Sequence, residues 1–371
     1  MNTAVSIAAN ICNTATSDMP QEIALCLFEN GAFLIFTGVP RGTEFGIDYK
    51  SWNVDSEFCG LKMIPPGVHF VYFSVKTAPR IGFFHYFKER EIVVRKWDAK
   101  SEDMLIGDVD EAEISRIREN LKSMDRRLGP YPYEHYREWF ALSNYITEET
   151  VNNLRPENYY GRITGQAELV TMETEMMEDE NIPGCSTSRV DREHPTRIRF
   201  VDEQGLPIMR IRPGFQIRFH EVQIMPIHKR RNQQGLDRSE DLEQLIRSSG
   251  GDWKELLAEL QFAFVCFLLG QVYEGFEQWK RLIHLLSSCT TAIGPRNDLF
   301  FALLPVLHFQ LKECPEDFFV DIVSKDNFLT TTLSNLFGNI ADSSTASAAL
   351  KEKSRKFKNF LTNRFKWSFE C

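Results

Sequence analysis

The sequence predicts an α+β protein, in which an N-terminal β-sandwich-like domain with inserted helices precedes an all-α C-terminal domain. Two observations predict this division. Between residues 32 and 98, short runs of β-branched and aromatic residues are separated by Gly and Pro turns, whereas beyond residue 238 apolar residues recur at helical spacing. With 371 residues, 43% of them apolar, the chain is long enough to bury two hydrophobic cores.

The domain boundaries are expected where these patterns change. Residues 1–20 are predicted to be a disordered lead-in, and residues 21–225 the β-rich domain. A polar and basic run from His228 to Gly235 indicates a linker over residues 226–237, so the helical domain is expected to cover residues 238–371.

Within the first domain, strands are expected over residues 33–36, 69–75, 81–87 and 91–97, and again between Thr196 and Gln223. The apolar stripe of Ile114, Ile117 and Leu121 predicts a helix that begins near Asp108 and ends at Gly129-Pro130. A second helix is expected over residues 134–146.

The helical half carries its own start and stop signals. Asp237 followed three residues later by Glu240 has the form of a capping box. Helical spacing then continues over residues 253–286, and Gly270 is the expected break between two helices. Further helices are expected after Gly294-Pro295, and a basic helix is expected at the end of the chain.

Composition excludes several classes of protein. The net charge is −9, and residues 1–222 hold 25 basic against 34 acidic side chains, so neither half has the basic surface of a general nucleic-acid binder. No apolar run approaches the roughly 18 residues of a membrane helix. The N-terminus lacks the basic region of a secretory signal, so an intracellular protein without membrane contact is expected.

No catalytic or metal-binding motif is found. The eight Cys form no C-x-x-C pair and are expected to be reduced. The nearest Cys/His pairs, His284 with Cys289 and His308 with Cys314, lie among apolar residues typical of a core. Neither a metal nor another cofactor is therefore expected.

Arginines alternate with apolar residues near the end of the first domain. The period of two places five of them on one face of their strands: Arg197, Arg199, Arg210, Arg212 and Arg218. Such a face could bind carboxylates or phosphates through guanidinium forks, or it could simply be the solvated face of an antiparallel sheet. The hypothesis carried forward is that it contacts an acidic protein surface.

The last basic segment has two interpretations. Lys356, Lys358 and Arg364 interleave with Phe357, Phe360, Phe365 and Trp367, a combination typical of single-strand nucleic-acid binding. The aromatic residues also share helical spacing, which favours docking of the helix on its own domain. The basic residues are therefore candidates for protein contact, and RNA binding through this helix is the alternative function.

Two polar clusters also stand out. Ser287, Ser288 and Thr290 lie in a predicted loop between helices and are candidate phosphorylation sites, although polar loop residues are the commoner explanation. The acidic run between Glu168 and Glu180 is interpreted as a solvated loop, with docking of a basic partner or pairing with the nearby arginines as alternatives.

A longer motif connects the chain with a known family. The motif reads Gly38-x-Pro-x-Gly-Thr-Glu-Phe-Gly-Ile-Asp48, then Trp52, then Gly60-x-Lys-Met-Ile-Pro-Pro-Gly-x-His-Phe70 and Gly82-Phe-Phe84. It closely resembles the Aar-two family of splicing factors, and similarity in order and spacing continues along nearly the whole chain.

That resemblance implies a β-rich domain joined to a helical domain and a role in assembling the U-five small nuclear ribonucleoprotein. Members of the family bind the RNase-H-like and Jab/MPN-like domains of the large core spliceosomal protein until a helicase replaces them, and they are not enzymes. We therefore expect a monomeric, non-catalytic assembly factor in the cytoplasm and nucleus, without direct nucleic-acid contact.

Overall fold

The computed structural model of the chain describes residues 19–107, 109–169, 209–222, 237–314 and 328–369. In this part of the chain the strands are β1 (Ala32–Thr37), β2 (Glu44–Ile47), β3 (Lys50–Asn53), β4 (Gly60–Ile64), β5 (Gly67–Ser74), β6 (Ile81–Phe87), β7 (Ile92–Asp98), β8 (Asp103–Met104), β9 (Leu128–Pro130), β10 (Ile163–Thr164), β11 (Ala167–Leu169) and β12 (Met209–Ile211). The helices are α1 (Gln21–Asn30), α2 (Glu111–Met124), α3 (Tyr136–Ser143), α4 (Glu148–Leu154), α5 (Ser239–Ser248), α6 (Trp253–Leu268), α7 (Tyr273–Ser287), α8 (Asn297–Glu313), α9 (Phe328–Asp342) and α10 (Ala348–Phe365).

The strands form two five-stranded sheets and a small ribbon. Sheet 1 has the order β8-β7-β1-β4-β9, and sheet 2 the order β10-β6-β5-β2-β3. Strands β11 and β12 pair with each other alone. Because β strands dominate the first half and the elements described from residue 239 onwards are helices, the predicted α+β class is confirmed. The predicted linker falls almost entirely outside the described residues, so the domain boundaries stay a prediction.

The two sheets pack face to face around an aromatic core. Phe36 of β1 lies between Phe45 of β2 and Phe73 of β5, with ring centroids 5.8 Å and 5.5 Å away. All three rings are almost completely buried. Edge-to-face pairs at such distances add to the stabilisation that burial of the rings already gives.

Helix α2 covers the other face of sheet 1. Its half-buried residues Ile114, Ile117 and Leu121 pack on Phe33 and Ile35 of β1, as the predicted stripe requires. The helix is shorter than predicted. It ends at Met124 because residues 125–127 form a single 3₁₀ turn that leads directly into β9.

Sheet 2 is buried on both faces, since helix α6 covers the face that does not meet sheet 1. Phe84 of β6 stacks on Phe262 of α6 at a centroid distance of 4.2 Å. Every residue of β5 from Val68 to Ser74 is buried, which accounts for its nearly continuous apolar sequence.

Glycines in the family motif permit the close packing of aromatic rings in sheet 2. A Cβ atom at Gly46 would lie 2.3 Å from the Tyr72 ring, and one at Gly82 would lie 2.4 Å from the Phe70 ring. Any larger residue would push these rings out of the sheet, so the glycines are required by packing.

A buried carboxylate connects the two sheets. Asp48, in the β2–β3 turn, accepts hydrogen bonds from His69 Nδ1 at 2.7 Å, from the Tyr131 hydroxyl at 2.7 Å and from the Phe70 amide at 3.0 Å. The other ring nitrogen, His69 Nε2, lies 2.8 Å from the Pro65 carbonyl oxygen. Burial and the neighbouring Asp48 carboxylate hold the pKa of Tyr131 well above its usual value.

Polar contacts also fix helices of both halves against the sandwich. Arg80, in the β5–β6 turn, pairs with Glu44 at 2.7 Å and donates to the Leu269 carbonyl at the end of α6, at 2.8 Å. The Trp139 indole on α3 donates to the Val68 carbonyl of β5 at 2.8 Å. These bonds join segments that are far apart in sequence, so helix and sheet hold each other in one arrangement.

The helical half has a core formed by α5 to α10. Trp279 is fully buried there and donates to the Gln310 side chain at 2.9 Å. The break predicted near Gly270 is confirmed, because α6 ends at Leu268 and α7 begins at Tyr273. The predicted capping box is wrong: α5 begins at Ser239, and Asp237 bonds the amide and hydroxyl of Ser239 instead.

Five cysteines lie in the described part of the chain, and all are free thiols: Cys26, Cys59, Cys266, Cys289 and Cys314. No helix among the described residues has both the length and the apolar character needed to span a membrane.

We expect Asp48→Ala to lower the free energy of unfolding by about 3–5 kcal/mol, because it leaves the buried His69 and Tyr131 groups without their acceptor. Urea unfolding followed by tryptophan fluorescence measures the loss. Exposed Glu119 on α2 supplies the control, since Glu119→Ala should change stability by less than about 0.5 kcal/mol. Equal effects of the two substitutions would contradict a tie at Asp48.

Candidate partner-binding site

The structure describes three of the five arginines of the predicted face. Arg197 and Arg199 lie outside the described residues. Arg210 lies in β12, with its Cα opposite that of Glu168 in β11, and Arg212 follows the strand directly. Arg218 lies in a segment without strand pairing. The three described arginines therefore do not share one sheet face.

Strands are predicted between Thr196 and Gln223, and for residues 215–222 this prediction is wrong. The hydrogen bonds of this segment explain why. Its amides bond helices instead of a neighbouring strand. The Ile217 amide donates to Glu274 at 3.3 Å, that of Arg218 to the Leu154 carbonyl at 2.9 Å, and that of His220 to Glu259 at 3.0 Å. The segment thus runs between α4, α6 and α7, with its donors satisfied by those helices.

Arg218 and Arg212 stabilise the local structure around them. Arg218 donates from Nε to the Arg155 carbonyl at 2.9 Å and from its terminal nitrogen to the Asn152 carbonyl, so its charge lies at the C-terminal end of α4. Arg212 lies 4.8 Å above the Phe215 ring and donates to Gln166 at 3.2 Å. Both side chains stabilise the path of the chain after β12.

Arg210 lines a cleft that we call the junction groove. It lies between the β11–β12 ribbon, the segment 216–221 and the start of α7, and it encloses about 890 Å³. Arg281 of α7 contributes a second guanidinium, and Tyr273 at the start of that helix is 70% exposed. Exposed Tyr and Arg side chains beside a concave surface are typical of protein interfaces.

Three carboxylates also line the junction groove. Glu274 accepts from the Ile217 amide, and Glu277 pairs with Lys280 at 2.6 Å. Burial raises the pKa of Glu274 above its usual value. Glu221 is the exposed one of the three. Glu274 and Glu277 are thus each engaged with a group of the chain itself.

A buried polar cluster holds one wall of the junction groove. Glu259 of α6 is 2% exposed and accepts from His220 Nδ1 at 2.6 Å and from Gln278 Nε2 at 2.8 Å. The hydrogen bond to Glu259 raises the pKa of His220, against the opposing effect of partial burial. The cluster fixes segment 215–222 on α6 and α7 and so positions the groove.

The basic residues of the C-terminal helix have unequal surroundings. Lys358 donates to the Phe369 carbonyl at 3.1 Å, and Arg364 donates to the Lys312 carbonyl at 2.8 Å, so both hold the end of the chain on its domain. Lys356 is exposed and lies 3.6 Å from Glu352.

The aromatic residues of α10 pack inwards, as the docking interpretation requires. Phe357 is 4% exposed, Phe360 lies 4.2 Å from the His308 ring, and Phe365 stacks on Trp367 at 4.7 Å. Rings engaged in this way are not arranged as a free platform for nucleic-acid bases.

The candidate phosphorylation sites surround the end of α7. Ser287 is 1% exposed, Ser288 donates to the His284 carbonyl, and Thr290 is exposed. Asp237 lies beside them and accepts from the Thr290 amide at 2.8 Å. Burial opposes ionisation of Asp237, but these hydrogen bonds prevail and lower its pKa to about 2. A phosphate at Thr290 would face this carboxylate; the assignment stays a prediction.

Sequence reasoning missed Tyr273, Arg281 and the His220–Glu259 pair. Tyr273 and Arg281 lie in a helix whose spacing was assigned to the core, and no local pattern separates an exposed tyrosine from a buried one. His220 and Glu259 are 39 residues apart, so only the fold brings them together. No group of three or more metal-ligating side chains was found in the described ranges.

Comparison with known proteins accounts for nearly the whole chain. Residues 30–156 match the model of the AAR2 N-terminal domain, and residues 220–370 match that of the AAR2 C-terminal repeat region. The Caenorhabditis elegans protein AAR2 homolog is 56% identical over 356 residues, which cover 95% of this chain and 99% of the relative. The mouse AAR2 homolog is 40% identical, with 96% of this chain and 94% of the relative covered. The A1 cistron-splicing factor AAR2 of Saccharomyces cerevisiae is 22% identical, with 76% and 77% covered.

Protonated His220 should stabilise the fold most at low pH. Its folded pKa lies above the usual value of 6.5, so the stabilisation is complete below that pH and is lost as the pH rises through the folded pKa. We expect His220→Ala to cost more unfolding free energy at about pH 5.5 than at about pH 9.

His284 provides a control of opposite sign. Desolvation and the nearby Arg238 lower its pKa, so its protonation opposes folding and the stability gap between wild type and His284→Ala should widen as the pH rises. Urea unfolding at both pH values tests the pair. If both substitutions showed the same dependence on pH, the His220–Glu259 contact would not be what stabilises the fold at low pH.

Proposed function

Because the chain belongs to the AAR2 family of splicing factors, we propose that it is a non-catalytic assembly factor of the U-five small nuclear ribonucleoprotein. The observation that carries this proposal is the match over 95% of the chain to a relative at 56% identity, together with the name of the yeast relative, a splicing factor. At that identity the two chains share their fold.

In this proposal the partner is the large core spliceosomal protein, bound through its RNase-H-like and Jab/MPN-like domains. The protein would act as a monomer, occupy surfaces that RNA or a later factor needs, and leave when a helicase replaces it. It would serve in the cytoplasm and nucleus, without direct contact to nucleic acid or membrane and without a cofactor.

The junction groove supports contact with a partner protein. Tyr273 offers a large exposed ring, and Arg210 and Arg281 offer two guanidiniums on opposite walls. Guanidiniums recognise carboxylates bidentately, so the matching surface would carry acidic residues. The His220–Glu259–Gln278 cluster keeps the groove in one shape before binding, which reduces the entropy lost on association.

We expect the purified protein to form a one-to-one complex with the isolated RNase-H-like domain at micromolar concentrations, measured by gel filtration with light scattering. No complex under these conditions would contradict the proposed function. Binding of single-stranded RNA with a steep dependence on salt, in place of the protein complex, would favour the alternative function through α10.

Charge reversal in the junction groove should weaken that complex. Arg210→Glu with Arg281→Glu is expected to raise the Kd at least about tenfold, because it replaces both guanidiniums with repelling carboxylates. Lys100→Glu, at an exposed turn between β7 and β8, is the matched control and should leave the Kd unchanged. Calorimetric titration measures all three proteins. Equal affinities would exclude the groove as the contact site while leaving the complex itself intact.

A further inference from the structure

A second groove lies on the opposite side of the sandwich, between helices α1 and α2. We call it the helix groove. Its floor is the parallel pair of Phe33 in β1 and Ile92 in β7, and its walls include Phe28 of α1 and Leu121 of α2. It encloses about 620 Å³, a volume in the range of ligand sites.

The walls of the helix groove are apolar and incompletely covered. Leu25 of α1 is 57% exposed, and no residue of α2 is fully buried although the helix has a clear apolar stripe. On each helix the lining residues share one face at spacings of three and four: Leu25, Phe28 and Glu29 on α1, and Arg118, Leu121 and Lys122 on α2. The apolar surface is therefore continuous across the groove.

The charge at the rim points to the occupant. Arg90, Arg118 and Lys122 surround the opening, against one carboxylate, Glu29. None of the three cations forms an ion pair within the described ranges, and Arg90 bonds only the Asn30 side-chain oxygen, at 2.8 Å. This basic rim stands in a half of the chain that is otherwise acidic.

We propose that the helix groove binds an amphipathic helix of a partner protein, whose apolar stripe is flanked by acidic residues. A groove walled by two helices on a sheet accepts the apolar face of a third helix, which anchors through residues at helical spacing. Acidic side chains beside that stripe would reach Arg118 and Lys122 on one side and Arg90 on the other. This surface is separate from the junction groove and does not depend on the proposed function.

The probe for the test is a fluorescein-labelled peptide of about 16 residues, with Leu at positions i, i+3, i+4 and i+7 of each helical repeat and Glu elsewhere. The same peptide with Lys in place of Glu is the charge control. We expect the acidic peptide to bind the full-length chain in fluorescence anisotropy, with affinity falling as salt is added, and the basic peptide to bind far more weakly.

Variants locate the binding site of the peptide. Leu25→Asp, and separately Arg118→Glu with Lys122→Glu, should each raise the Kd of the acidic peptide at least about tenfold. Ile106→Asp, at a loop residue that is 60% exposed, and Arg116→Glu, elsewhere on α2, are the matched controls and should leave it unchanged. Thermal unfolding verifies that each variant is folded. Because Arg118 and Lys122 are exposed, their double substitution tests the site even if Leu25→Asp is unstable.

Three results would overturn the proposal. Equal binding of both peptides, or affinity unchanged by both groove variants, would exclude an acidic helix at this site. A dimer in light scattering that Leu25→Asp dissociates would identify a second copy as the occupant. Acidic-peptide binding that appears only after removal of residues 1–18 or 170–182 would show that this chain fills the groove with its own segment.

Discussion

The burial of sheet 2 on both of its faces is the constraint on which the rest of the structure depends. One face meets sheet 1, and the other meets α6, with Phe84 stacked on Phe262 at 4.2 Å. If either sheet 1 or α6 moved away from sheet 2, large aromatic rings of sheet 2 would become exposed to water. The helical half therefore contributes residues to the core of the β half. At the edge of this interface, Arg80 donates a hydrogen bond to the carbonyl at the end of α6.

This arrangement explains why the sequence of the motif-bearing segment is so specific. Asp48 within it accepts from His69 of sheet 2 and from Tyr131, which follows β9 of sheet 1, and so connects the sheets. Gly46 and Gly82 make room for Tyr72 and Phe70. These residues fix the scaffold. The candidate contact residues lie elsewhere, in the junction groove, where segment 215–222 crosses between the helices of the two halves. A binding surface there takes its shape from the junction itself.

The fold class, the long helices and the strands up to residue 98 could be predicted from the sequence because their patterns are local. Residues 215–222 show where this fails. Their alternating sequence is typical of a strand, but Leu154, Glu259 and Glu274 of three different helices accept their amide hydrogens. The same is true of the arginines. The alternating sequence predicts that Arg218 shares a sheet face with the other arginines, but its hydrogen bonds to the end of α4 determine where it lies. Tertiary partners, distant in sequence, override the local pattern.

Native-state hydrogen exchange tests most directly whether the two halves form one cooperative core. Phe262→Ala removes the ring that stacks on Phe84 and should cost about 3–5 kcal/mol. If the account is correct, the slowest amides of β5 and of α6 lose protection by the same free energy in this variant, since they open only together. Loss of protection confined to α6, with β5 unchanged, would show that the sandwich is stable without its helical cover and would contradict the account.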